Sequence, residues 1–282
     1  MADFSDILLT VDFDRTLTAP DATVPARNVE AIRYFIDNGG SFTVNTSRSI
    51  PMSMRNILGV IPTNAPLLLY NGSAAYDAET GHLSSCIPIA LNPAEILSQL
   101  QEKFPTLNVE LQAPDAHYLM KKNPKWEAYC AHNGCPWKYG APDQLPEPFL
   151  KFAIYSEFLD ANVSSLYKEI PDDRKVFLEA ARYIEENYSD QVDVFLSCAR
   201  LMDIHAKGVS KLASARRLQK ELGKRLLVCV GDAENDLPML EGADYAFCPA
   251  DGTIADRFPN VCACAEGAVA DVIYNELPKL LV

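Results

Sequence analysis

At 282 residues, with 48% hydrophobic and 22% charged residues, the chain has the composition of an ordinary globular protein of one large domain or two modest ones. Its formal net charge of −13 argues against nucleic acid as a partner, because phosphates need a basic footprint, and against long-range steering of an anionic substrate. No apolar run approaches the roughly 20 residues that span a bilayer, so no membrane partner is expected. The acidic start, Met1-Ala2-Asp3-Phe4-Ser5-Asp6, is not a secretory signal, and eight scattered cysteines read as reduced thiols of a cytoplasmic protein.

In chain order, Ile7 to Val11 is a short apolar run of the buried-strand type, and it delivers Asp12-Phe13-Asp14-Arg15-Thr16. In an extended chain side chains alternate, so Asp12 and Asp14 share a face while Phe13 points away. Two carboxylates this close repel each other, and a hard cation such as Mg²⁺, which prefers oxygen ligands, resolves the conflict. A loop rich in Pro and Asp follows, Ala19 to Pro25. Pro25 then suits the first turn of a helix with Ala26, Val29, Ile32 and Ile36 at helical spacing, stopped by Asn38-Gly39-Gly40. Ser41–Val44 predicts a second strand ending in Asn45-Thr46-Ser47-Arg48-Ser49. A helix from Pro51 to Leu58 leads to a third strand, Pro66 to Tyr70, ending in Asn71-Gly72-Ser73. Such alternation implies a parallel sheet with helices on its faces and ligands at the carboxyl ends of its strands.

From about Thr80 the rhythm changes. Asn92-Pro93-Ala94-Glu95 reads as a helix start, continued by Ile96, Leu97, Leu100 and Phe104. Leu107 to Leu111, Phe152 to Tyr155 and Val192 to Leu196 read as strands, and Ala161–Ile170 and Asp173–Tyr188 as helices. Pro114 to Pro148, rich in Pro, Lys and aromatics, has no clear periodicity. Cys130-Ala131-His132-Asn133-Gly134-Cys135 has the residue types of a zinc ligand set, but no second Cys or His pair follows at a suitable spacing. His117 and His132 are expected to be surface or structural rather than catalytic. Trp126 and Trp137 lie near Lys121, Lys122 and Lys125, which fits either a substrate lid or a small core.

The first rhythm is expected to return at Met202 to Lys211, followed by a helix to about Leu222 that Gly223 closes. The apolar strand Leu226 to Val230 then ends in Gly231-Asp232-Ala233-Glu234-Asn235-Asp236, and Leu237 opens another helix. A strand from Tyr245 to Cys248 and a terminal helix, Gly267 to Leu280, complete the chain. The expected architecture is α/β: a Rossmann-like core with a parallel sheet, residues 1–84 and 201–282, interrupted by an inserted α+β domain, residues 85–200. At the strand ends, Asp12 and Asp232 would share one Mg²⁺, the metal and Lys211 would neutralise a phosphoryl group, and Thr46 would donate a hydrogen bond to it. Lys207, four residues earlier, competes with Lys211 for this role.

Taken together the chain resembles the haloacid dehalogenase superfamily, and within it the Cof-like phosphatases with a large type II cap. The resemblance rests on Asp12-Phe13-Asp14-Arg15-Thr16, Asn45-Thr46-Ser47-Arg48, Gly208-Val209-Ser210-Lys211 and Gly231-Asp232-Ala233-Glu234-Asn235-Asp236, in that order around a cap-sized insert. It implies Asp12 as nucleophile and Asp14 as general acid/base. It implies Mg²⁺ on Asp12, the Asp14 backbone carbonyl and Asp232, with Asp236 in support. It also implies phosphate held by Thr46, Lys211, Asn235 and backbone N–H groups near Phe13 and Ser47, and Asn71-Gly72 matches the family's Asn-Gly. Arg15 and Ser47 stand where family members usually carry Gly.

The function so implied is a Mg²⁺-dependent phosphatase for a small phosphorylated metabolite, a sugar phosphate first, working as a monomer or homodimer through an aspartyl phosphate. A phosphotransferase such as a phosphosugar mutase, and a catalytically silent phosphate-ligand-binding protein, are the alternatives. A signalling receiver domain shares clustered Asp, a hydroxyl residue and a Lys, but is far shorter and has no cap-like insert.

Overall fold

The computed structural model describes residues 2–140, 148–155, 174–198 and 201–281. The helix expected over Ala161–Ile170 and the residue Asp173 lie outside the described residues. The elements are β1 (Ile7–Val11), α1 (Ala26–Asp37), β2 (Ser41–Val44), α2 (Ile50–Asn56), β3 (Leu67–Leu69), β4 (Ala74–Asp77), β5 (His82–Cys86), α3 (Pro93–Lys103), β6 (Asn108–Gln112), β7 (His117–Leu119) and α4 (Pro124–His132). They continue with β8 (Trp137–Tyr139), β9 (Lys151–Tyr155), α5 (Arg174–Tyr188), β10 (Val192–Cys198), β11 (Leu201–Ala206), α6 (Lys211–Glu221), β12 (Leu226–Val230), α7 (Leu237–Glu241), β13 (Tyr245–Pro249), β14 (Asn260–Val261) and α8 (Ala268–Asp271). They divide into two compact units. The first holds the chain up to Arg48, Ile57–Ser85 and the chain from Ser210; the second holds Ser49–Asn56 and Cys86–Val209. Among the described residues no helix is long and apolar enough to cross a membrane.

The first unit is built on a parallel sheet of order β14-β13-β12-β1-β2. β1 and β12 pair in register from Ile7 with Leu226 to Val11 with Val230. Every residue of β1 is buried, as a continuous apolar run in a sheet covered on both faces requires. α1 turns its face slightly from the expected one: Asn28, Ala31, Ile32 and Phe35 are buried and Ala26 is exposed. The physical reason is Asn28, whose amide donates to Leu17 O at 3.0 Å and whose Oδ1 accepts from Ala270 N at 2.9 Å. A buried polar side chain with both ends paired can sit where an apolar one was expected. The third strand also differs from expectation. β3 pairs antiparallel with β4 in a separate sheet of order β3-β4-β5, and meets the parallel sheet only through a bridge between Asn45 and Leu68. The expected terminal helix is α8 followed by π and 3-10 turns to Leu280.

The second unit carries a sheet of order β10-β11-β9-β6-β7-β8, antiparallel except for β7 beside β8. One face is apolar. Val109, Leu111, Phe152, Ile154, Met202 and Ile204 pack with Ile96, Leu97 and Leu100 of α3 and with Phe177, Ala180 and Ile184 of α5. The alternate residues Glu110, Gln112, Lys151, Asp203 and His205 are polar and equally buried. β11 lies between β10 and β9, so Met202 to Ala206 belongs to this sheet rather than to the returning first rhythm. Its polar alternation, set by the Lys151–Asp203 ion pair at 3.2 Å, had disguised it. Trp126 is buried, stacked against Tyr129 and Tyr155 with ring centroids 4.6 and 4.2 Å away, and donates its indole N–H to Glu110. It completes a small core with Leu119, Cys130 and Cys135, which decides between the two readings of that tryptophan.

Candidate active site

The site is assembled at the carboxyl ends of β1, β2 and β12 and at the start of α6. Asp12 follows β1, its N–H donating to Val230 O at 2.9 Å. The chain then turns sharply: Asp14 is extended, with φ −75° and ψ 123°, and Arg15 is left-handed at φ 62°. That conformation is the one glycine adopts without penalty, which explains the family preference at this position. Ser47 is not among the residues with positive φ, so no comparable strain arises there.

Asp12, Asp232 and Asp236, all buried, bring carboxylate oxygens within 4.8 Å of one another. Lys211, the first residue of α6, donates from Nζ to Asp12 Oδ1 and to Asp236 Oδ1, the latter at 2.6 Å. Ser210 caps α6 by accepting from Ala213 N at 3.0 Å, and Asn45 donates to Lys211 O at 2.9 Å. Together these contacts fix where the lysine starts. Asp236 also accepts from the N–H groups of Asp232 and Ala233 at 3.0 and 3.3 Å. Gly231 makes room for this arrangement, since a Cβ there would lie 2.6 Å from Asp236 Cγ. Thr16 Oγ1 donates to Asp232 Oδ1 at 3.0 Å.

Three carboxylates against one ammonium leave the cluster short of positive charge, and Asp12 and Asp232 show it. Burial, countered in part by Lys211, lifts the Asp12 carboxyl to about 7. Burial and then the charge of Asp12 hold Asp232 well above the usual carboxylate range. Burial disfavours a charged Lys211, but Asp12 and Asp236 outweigh it and strengthen its hold on the proton. An all-oxygen donor set with excess negative charge, away from water, fits a hard divalent cation such as Mg²⁺.

Asp14 takes a different partner from Asp12. Arg48 grips it with two parallel bonds, Nε to Oδ2 at 2.9 Å and Nη2 to Oδ1 at 2.8 Å. The guanidinium also lies 4.9 Å over the Phe13 ring. Burial would raise the Asp14 carboxyl, but Arg48 overrides it and holds the group below the usual range. Thr46 and Asn71 are joined through backbone: Thr46 N–H donates to Leu68 O and Asn71 N–H to Thr46 O, both at 2.9 Å. Thr46 Oγ1 accepts from Arg48 N at 3.2 Å. Asn235 lies half-buried in the turn before Asp236. Lys207 pairs with Asp193 of the second unit at 2.7 Å, so Lys211 is the lysine at Asp12. The sequence places Arg48 and Thr16 within its motifs but gives neither a role. The available signal for Arg48 was a cation two residues past Thr46, at the end of a strand neighbouring the acidic one.

Residues 9–255 match the family of haloacid dehalogenase-like hydrolases. The chain is 24% identical to HMP-PP phosphatase of Yersinia enterocolitica over 241 residues, 83% of this chain and 80% of that protein. A haloacid dehalogenase-like hydrolase from B. subtilis has a similar structure, with a TM-score of 0.77 at 20% identity over 95% of this chain and 99% of the other. A HAD subclass IIB sugar phosphatase gives a TM-score of 0.74 at 14% identity over 96% and 99% of the two chains.

Proposed function

The chain belongs to the haloacid dehalogenase-like hydrolases, and from that membership we propose that it is a Mg²⁺-dependent phosphatase that hydrolyses a small phosphorylated metabolite by carrying the phosphoryl group on Asp12. The observation that supports this reading is the Asp12 carboxylate, held by Lys211 beside Asp232 and Asp236. Asp12 and Asp232, with the Asp14 backbone carbonyl, are the groups that would hold Mg²⁺, with Asp236 in support, and the ion when bound neutralises charge on the phosphoryl oxygens.

In the first half-reaction a carboxylate oxygen of Asp12 bonds to phosphorus as the bond to the ester oxygen breaks. The leaving oxygen takes a proton from Asp14. In the second, Asp14 accepts a proton from water as its oxygen attacks phosphorus, and Asp12 is released with inorganic phosphate. Asp14 is ionised while Arg48 grips it, which suits the second step, and it must part from Arg48 to carry a proton into the first. Lys211 offsets phosphoryl charge, and Thr46, Asn235 and N–H groups near Phe13 and Ser47 bind the remaining oxygens. These groups see only a phosphoryl pattern common to all monoesters, so we assign selection of the leaving group to the inserted unit. Sugar phosphates are the first class to test, because a protein of similar fold is a sugar phosphatase.

The test is Mg²⁺-dependent phosphate release from a generic aryl phosphate and then from a panel of sugar phosphates. Asp12→Asn is expected to abolish turnover while circular dichroism and melting stay near wild type. Near-normal turnover by that variant would rule out the covalent route.

A further inference from the structure

The second unit contains a cluster that the phosphatase reading leaves unused. His117 of β7, Cys130 of α4 and Cys135 just beyond α4 are all buried, and their ligand atoms lie within 4.8 Å of one another. The sequence showed two of these, Cys130 and Cys135, without a partner; the pairing of β7 with β8 brings in the third. His117 N–H donates to Pro136 O at 2.9 Å, and Cys135 N–H to Cys130 O at 2.8 Å, so backbone bonds hold the three positions together.

The ring nitrogens of His117 are in unlike surroundings. Nε2 lies 2.8 Å from Ser49 Oγ, a good hydrogen bond. Nδ1 is buried and makes no hydrogen bond, although Glu110 Oε1 is 3.1 Å away. The ordinary arrangement for a metal-bound histidine is one nitrogen on the metal and the other donating to a nearby oxygen. Here Ser49 takes the second part and Nδ1 is left for the first. Glu110 is itself fully buried, and Gln112 Nε2 and Trp126 Nε1 both donate to it, so a fixed negative charge stands beside the cluster.

We propose that the second unit binds one zinc-type divalent ion through His117 Nδ1 and the Cys130 and Cys135 thiolates, the three groups that lie together, with a water in the fourth position and Glu110 beside the set as a compensating charge. Zinc bonds of about 2.3 Å to sulfur and about 2.1 Å to nitrogen or oxygen separate neighbouring ligand atoms by about 3.4–3.8 Å. The three ligand atoms lie within 4.8 Å of one another, so binding would draw them together by about 1 Å. Binding ties the end of α4 to β7, and it releases the protons the ligands carry when the ion enters. Softness of the ligands separates this site from the carboxylate cluster of the first unit.

The experiment is a cobalt titration of the full-length protein, stripped with chelator and kept reduced with a phosphine. One equivalent of Co²⁺ is expected to produce thiolate-to-cobalt charge-transfer absorption with tetrahedral ligand-field bands, which Zn²⁺ then abolishes. Cys130→Ser and Cys135→Ser should each weaken zinc binding more than ~100-fold, and Asp12→Asn should leave the spectrum unchanged. Absence of thiolate charge transfer in the wild type overturns the proposal, whatever the variants do. So does its persistence in the double serine variant, since other cysteines would then be the source.

Discussion

Arg48 sets the state of Asp14. The two parallel bonds are short, and the pair is largely shielded from water, which makes such a contact much stronger than a surface ion pair. In the proposed mechanism this favours Asp14 as the base of the second half-reaction and opposes it as the acid of the first. Replacing the guanidinium by an apolar chain, Arg48→Met, is expected to leave Asp14 readily protonated. Formation of the aspartyl phosphate should then outrun its hydrolysis. A stopped-flow trace with an aryl phosphate should show a burst of the alcohol, followed by steady-state turnover about 10-fold below wild type, a smaller loss than the 10²–10⁴ that follows removal of a base itself. A variant that loses turnover with no burst would mean that Arg48 serves the first half-reaction or substrate binding instead.

Elements of the first unit meet so closely at one point that only glycine fits. Gly72 follows the short strand β3 with φ +98°, and a Cβ built there would lie 2.5 Å from both Ser210 O and Ser214 Oγ at the head of α6. The same α6 starts with Lys211, so this contact helps to place the site's lysine. Gly59, at φ +75°, has nothing within 4 Å of its Cβ position. Gly72→Ala should therefore cost about 2–4 kcal/mol, combining left-handed strain with a backbone clash, whereas Gly59→Ala should cost about 1 kcal/mol from strain alone. Denaturant melts of the two variants settle the point, and equal losses would show that the close approach of β3 to α6 is not under strain. Turnover should fall in Gly72→Ala even where the variant remains folded, because α6 must shift to relieve the contact.

Stability of the whole molecule should depend on acid through His205. Burial holds this imidazole down to about 4 from an ordinary 6.5, with Asp203 opposing the shift, Lys151 reinforcing it, and the Leu150 carbonyl and Asp193 opposing it. Its Nδ1 lies 3.3 Å from Leu150 O, and its ring 5.8 Å from that of Phe195. The folded group is neutral where the unfolded one takes a proton, so the unfolded chain binds more protons between those two values. Stability is then full above about 6.5 and declines as pH falls towards about 4, by on the order of 2–3 kcal/mol for this group. His205→Gln should show a correspondingly shallower loss between neutral pH and pH near the lower value. If wild type and variant lose stability in parallel, other groups carry the acid sensitivity.

Much of the first unit follows from local pattern. Runs such as Ile7 to Val11 and Leu226 to Val230 are apolar throughout because their strands are covered on both faces, and the polar residues just past them can only lie at strand ends. For the same reason Asp12, Thr46 and Asp232 can be assigned to strand ends from the sequence, and the structure joins Asp12 to Lys211 and brings Asp232 beside it. β7, α4 and β8 gave no such signal: they are short, rich in aromatics and charges, and stabilised by side-chain partners distant in the chain, as Trp126 is by Glu110 and Tyr155. β11 was misplaced because Asp203 and His205, buried beside Lys151 and Leu150, break the apolar run that marks a buried strand. Residue order by itself determined which carboxylates and hydroxyls stand at the strand ends of the first unit. Only the tertiary structure decided which groups are joined: Arg48 to Asp14, Asp236 to Asp12 and Asp232, and His117 to Cys130 and Cys135. Apart from Asp236 with Asp232, which share one turn, these pairings cross between separate elements, and a contact of that kind is set by where the backbone brings two side chains together, which local sequence periodicity does not encode.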